Sequence, residues 1–227
     1  MLPRTGSATS TTAARLTFGW PLLLLIALLA VDGLFIWLHR MYLQDVLDAR
    51  FALTSERSYS EYYEHGKELL LVLLGFVLAV RHRERLYACW TALFAYLLLD
   101  DTFQFHEHAG AFVAAALPVR SVFGLRASAA GELVPSALIL FVVVSTVIAT
   151  WPSSSQRARR FSIAVTAALV ALGAFGVLVD LVHSLVRRDP WRYRLGMIEE
   201  GGEMVTMSAM ITVVAAFVRR PIAAPPP

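Results

Sequence analysis

The chain has 227 residues, of which 57% are hydrophobic and 16% charged, and its net charge is +3. Soluble domains usually carry about 25% charge, so the composition argues against one. The lone cysteine, Cys89, excludes an internal disulfide and a thiolate metal cage, and the lack of a Lys/Arg run on a soluble module excludes nucleic acid as a partner.

The apolar residues fall in long runs, as a bilayer demands. Residues 1–17 are rich in Ser, Thr and Ala and read as a disordered segment. The first apolar run, 18–38, is longer than a signal-peptide core and no small-x-small site follows it, so it reads as a retained helix. Residues 41–53 space Leu43, Val46, Leu47 and Phe51 like an amphipathic helix lying on the surface. A second helix is expected over 61–80 and a third over 86–106. The fourth, fifth and sixth follow at 133–151, 161–186 and 197–218. A hydrocarbon core of about 30 Å needs roughly 20 helical residues. The second, third and sixth segments reach that length only by drawing their polar ends into the membrane. The expected fold is therefore all-α, an integral membrane bundle of about six transmembrane helices over residues 18–220. Residues 221–227 read as a disordered tail.

The connections differ by side. Residues 81–85 (RHRER) and 152–160 (PSSSQRARR) are short and basic, and Arg219 and Arg220 close the last helix. Helix parity places ten of the 20 basic residues on that side, but only one of the 17 acids, Glu84. Lys and Arg therefore split evenly. Their density in short loops makes that side, with both termini, the cytoplasmic one. The expected location is the cell membrane.

Parity brings polar residues of six segments toward the opposite leaflet. Asp32 lies in the first segment. The second opens with Glu61, Glu64, His65 and Glu68. The third ends with Asp100, Asp101, His106, Glu107 and His108. Glu132 opens the fourth, Asp180 and His183 end the fifth, and Glu199, Glu200 and Glu203 open the sixth. Glu61, Glu64 and Glu68 share one helical face, and Asp100, Gln104, Glu107 and His108 share another. Unpaired ionisable groups at membrane depth cost several kcal/mol, so they face a bundle interior, pair, or bind a cation. Carboxylate-x-x-His on one helix facing carboxylates on others is the ligand logic of di-metal bundles. The expected metal ligands are Glu64, His65, Asp100, His106, His108, Asp180, His183 and Glu203, around a divalent zinc, iron or manganese ion.

Simpler roles fit several of these residues. Ser58 and Glu61 match a capping box. Glu199 suits a first helical turn, where the macrodipole favours acids. His39 and His82 stand beside arginines at interfaces and read as solvated. Asp32 needs a partner, with Lys67 or an arginine the candidates.

The stretch from Asp100 to Glu107 (DDTFQFHE) and that from Glu199 to Met204 (EEGGEM) resemble a set of bacterial multi-pass membrane proteins. Those carry D-D/E-x4-H-E in one helix and E-E-x-x-E-M/L in a later one. The resemblance marks both segments as a recurring unit and adds no chemistry. Alkaline ceramidase-like hydrolases do not match, because the last helix lacks their H-x-x-x-H.

These features define a carboxylate/histidine site toward one leaflet. A metal-dependent membrane enzyme, a hydrolase or oxidoreductase, would use it on a lipid or small-molecule substrate. A cation or proton transporter or sensor would use the same carboxylates without metal. A structural subunit would use them to tie helices together. The residues fix neither a catalytic group nor a reaction.

Overall fold

The computed structural model describes residues 8–116, 127–179, 182 and 191–219. Every regular element among them is helical. Helix α1 spans Ala8–Tyr42, α2 Tyr59–His82 and α3 Arg85–Phe103. Helix α4 spans Phe105–Ala116, α5 Ala127–Thr150, α6 Gln156–Gly173 and α7 Trp191–Arg219. A π-helical turn, Ala174–Val179, continues α6. Three stretches among the described residues are long and apolar enough to cross a membrane: Gly19–Tyr42, Gln156–Val179 and Tyr193–Arg219.

Local chemistry sets the helix ends. Ser58 caps α2 by accepting from Glu61 N–H at 3.3 Å, and the Glu61 carboxylate accepts from Arg57 N–H, close to the capping box read from the sequence. Arg83 ends α2 in the left-handed region, φ 51°, with its N–H on the Ala79 carbonyl. Ser155 caps α6 by accepting from Ala158 N–H at 3.2 Å.

Helix α7 is the hub, packing on α1, α2 and α6, while α2 packs on α3 and α4 pairs with α5. Helix α5 lies outermost and exposes Leu138, Leu140, Phe141 and Ile148. One contiguous core joins α2, α3, α6 and α7. At its basic end the Tyr87 and Phe161 rings lie 5.0 Å apart, and Phe161 meets Phe217 edge-on at 5.3 Å. The arginine loops converge there. Arg81 donates to the Val218 carbonyl at 3.1 Å and Arg157 to the Phe217 carbonyl at 2.6 Å. Both satisfy carbonyls that no further turn of α7 would bond. Glu84 accepts from the Ser155 N–H at 3.1 Å and its hydroxyl at 2.7 Å, which ties the two basic loops together.

Three sequence expectations change. Residues 41–53 do not form a surface helix. Asp45 adopts φ 57°, and only a short 3-10 turn, Ala49–Phe51, follows, capped by Asp48. Leu53 N–H then donates to His39 Nδ1 at 3.0 Å and folds the segment back over the end of α1. His39 is therefore buried rather than solvated. The third predicted helix is not continuous to His106, because Gln104 adopts the left-handed region, φ 52°, and separates α3 from α4. The stretch between the third and fourth expected helices accordingly contains most of α4 and the start of α5.

Candidate functional site

Three helices build a buried polar knot. Helix α1 places Asp32 within its apolar run. Helix α2 supplies Tyr63 and Lys67, one turn apart, and α7 supplies Met204 and Ser208, also one turn apart. Lys67, the chain's single lysine, donates from Nζ to Asp32 Oδ1 at 2.7 Å and to the Met204 carbonyl at 2.9 Å. The Tyr63 hydroxyl donates to Asp32 Oδ1 at 3.0 Å, and the Ser208 hydroxyl to Oδ2 at 2.6 Å. The Lys67 and Asp32 side chains are only 2% and 1% exposed, so water contributes almost nothing to their solvation. The Tyr63 ring lies 4.4 Å from Nζ and stacks on Phe35.

Removing two such charges from water costs several kcal/mol per ion even after relaxation. Their attraction offsets that cost only when the remaining hydrogen-bonding groups are satisfied. Here Asp32 accepts three bonds and Lys67 makes two, so the pair is well satisfied. Replacing such a pair by apolar residues of the same shape is often neutral or stabilising. Stability alone therefore does not account for the pair.

Above the knot the carboxylates crowd together. Glu64 lies in the field of Glu203, Lys67, Asp101 and Glu68. Glu68 lies in that of Asp101, Asp100 and Glu203. Glu200 lies in that of Glu64, Glu203, Glu199 and Asp101. The π-helical turn admits Glu203. Its carboxylate rests on Gly176, where any Cβ would overlap it, and the Phe175 ring rests likewise on Gly202. Helix α7 begins at Trp191, so Glu199 and Glu200 lie more than two turns inside it. Glu199 is not the first-turn acid expected from the sequence.

The expected ligands separate into distinct roles. Glu64 and Glu203 do come together. Asp100 turns across the Gln104 break and accepts from the His106 N–H at 2.9 Å and Nδ1 at 3.0 Å. His65 Nδ1–H donates to the Glu61 carbonyl at 2.8 Å, which leaves Nε2 buried without a partner among the described residues. His108 donates to the Gln104 carbonyl at 2.7 Å and is exposed. The break at Gln104 carries it off the face it would share with Asp100 in a continuous helix. Asp180 and His183 lie outside the described residues. Among the described residues, no three His, Cys, Asp or Glu converge as metal ligands. The zinc, iron or manganese expectation gains no support from them.

The sequence offered Lys67 or an arginine as the partner of Asp32, and the structure has Lys67, whereas the Tyr63 and Ser208 hydroxyls and the Met204 carbonyl were not legible. A four-residue spacing could have found them. Glu200, Met204 and Ser208 recur on one face of α7, as Tyr63 and Lys67 do on α2. Helix α1 packs on α7 at the knot, and α5 is the peripheral helix.

Fold and site together define an all-helical protein, among the described residues, with three stretches long and apolar enough to cross a membrane and a buried lysine–aspartate knot. The family described as Domain of unknown function (DUF8692) matches residues 66–219, more than half of the chain, and the chain belongs to that family. No curated protein and no solved structure matches it.

Proposed function

We propose that this is an integral protein of the cell membrane with six spans that responds to protons at one leaflet. In this reading it is a sensor, and its output is the packing of α1, α2 and α7. The observation that carries the reading is the Lys67–Asp32 pair, 2.7 Å apart and buried in apolar helices. Intramembrane ionisable residues are rare and by default functional. One lysine holds three helices, through Asp32 of α1, its own α2 and the Met204 carbonyl of α7.

The coupling is electrostatic. Glu64 lies one turn from Lys67 and acts on its charge. At an effective dielectric of about 20, a unit charge one turn away is worth roughly 3 kcal/mol. Protonation of Glu64 withdraws that attraction and changes the balance holding Lys67 between α1 and α7. A through-path has little support. Beyond Ser208, α7 continues through Met210, Ile211 and Val214 to the closed aromatic and arginine end. A carrier would need protonatable groups there.

The metal-enzyme reading would need Asp180 and His183 to complete a ligand set, and no described group stands in for them. Metal content of the purified protein tests it.

The six-span reading puts both termini on the side of the basic loops, in the cytoplasm. Single cysteines at Ser7 and Ala224, in a Cys89→Ala background, are expected to label from the same side as one at Arg83. Labelling from opposite sides would mean an odd number of spans. The sensor reading is tested by amide hydrogen exchange in nanodiscs. Peptides covering residues 60–68 and 199–208 are expected to exchange faster in acidic than in alkaline buffer. A pH-independent profile would contradict it.

A further inference from the structure

Glu68 takes no part in the lysine–aspartate knot. It lies ten residues beyond Ser58, the N-cap of α2, about 15 Å along the helix at 1.5 Å per residue. Its neighbour Lys67 turns toward α1 and α7, while Glu68 turns into the seam where α2 meets α3 and α7. There it lines a narrow slot with Leu71, Phe94, Leu97, Met207 and Met210. The residue is 6% exposed, and its Oε2 is buried with no hydrogen-bond partner among the described residues.

The described charges that act on it from the neighbouring helices are acids. Helix α3 presents Asp100 and Asp101, and α7 presents Glu203. On α2 itself Glu64 adds a further acid, and Lys67 beside it is bonded to Asp32 of α1 and to the Met204 carbonyl. An ionised carboxylate buried without a partner costs far more than a neutral acid in the same place. The slot, about 10 Å³, has room for one water at most. A buried water needs two to four polar partners, and the five other residues lining the slot are apolar.

We infer that Glu68 is a proton-binding site of the bundle, holding its proton in the apolar slot between α2, α3 and α7 and exchanging it through the carboxylates Glu64, Asp101 and Glu203. The ligand is the proton itself. The inference rests on the proton-responsive reading above and names the group that binds deepest.

An apolar carbodiimide tests it. N,N′-dicyclohexylcarbodiimide reacts with the acid form of a carboxyl in an apolar site. The carboxyl proton moves to one carbodiimide nitrogen and the carboxyl oxygen bonds the central carbon. An O-to-N acyl shift then leaves a stable N-acylurea, and nothing is released. In nanodiscs, wild-type protein is expected to take up one adduct, mapped to Glu68 by peptide mass, with labelling falling at least tenfold from acidic to alkaline buffer. Glu68→Gln, which keeps the shape, should lose the adduct. A water-soluble carbodiimide should leave Glu68 unmodified.

Adducts spread over Glu64, Asp101 and Glu200 with Glu68 untouched would overturn the inference, as would labelling of Glu68 that ignores pH. Mapping on wild-type protein decides the point even if Glu68→Gln fails to fold. The sensor reading fails separately. A Glu68 adduct together with a pH-independent exchange profile keeps the proton site and removes the sensor.

Discussion

Lys67→Met is expected to destabilise the protein by about 3–5 kcal/mol, the cost of leaving a buried charge without its partner. Asp32 would keep its bonds from Tyr63 and Ser208 but lose the cation 2.7 Å away. Asp32→Asn alone should cost a comparable amount, because the ammonium would then be buried without an anion. The double variant Asp32→Asn/Lys67→Met removes both charges. Asn can still accept from Tyr63, and its amide can donate to the Ser208 hydroxyl, so the double variant should regain most of the lost stability. Denaturant or thermal unfolding in detergent measures all three. Non-additivity of several kcal/mol is the signature of direct coupling. Additive losses would mean that the two residues act independently, contrary to the geometry.

The second large effect lies at the opposite end of the bundle. Phe161 is fully buried between the Tyr87 and Phe217 rings. Phe161→Ala leaves a void that the surrounding helices cannot fill, and a loss of about 3–5 kcal/mol is expected. Phe141→Ala on α5 is the control. That ring is 68% exposed on the outer face, where lipid would surround it before and after the change. Its effect on unfolding should be within about 0.5 kcal/mol. Equal losses at the two positions would mean that α5 packs inside the bundle.

The long apolar segments were legible because a bilayer leaves no other pattern open to them. The runs around Asp32, Val165 and Ile211 fall in the three stretches able to cross a membrane. The buried pair was legible because Asp32 in an apolar helix has few ways to be satisfied. The break after Phe103 was not. Gln104 enters the left-handed region without being glycine, aided by Asp100 reaching across to His106. That single residue removed His108 from the expected ligand set. The π-helical turn before Asp180 was equally silent, since Ala174–Val179 reads as ordinary apolar helix. The early start of α7 was hidden by Arg192 and Arg194, which look like loop residues and are helical. The all-helical class thus follows from hydropathy. Which acids meet depends on backbone breaks that hydropathy does not record.

If the Lys67–Asp32 knot converts protonation into helix packing, removing both of its charges removes the pH response. Hydrogen exchange of the Asp32→Asn/Lys67→Met protein in nanodiscs, compared with wild type at acidic and alkaline pH, tests it most directly. Because both charges are gone, the variant should fold with near-native stability. Wild type is expected to exchange faster in acid over residues 60–68 and 199–208, and the double variant equally at both pH values. A double variant that keeps the full pH response, or a wild type that shows none, would contradict the account.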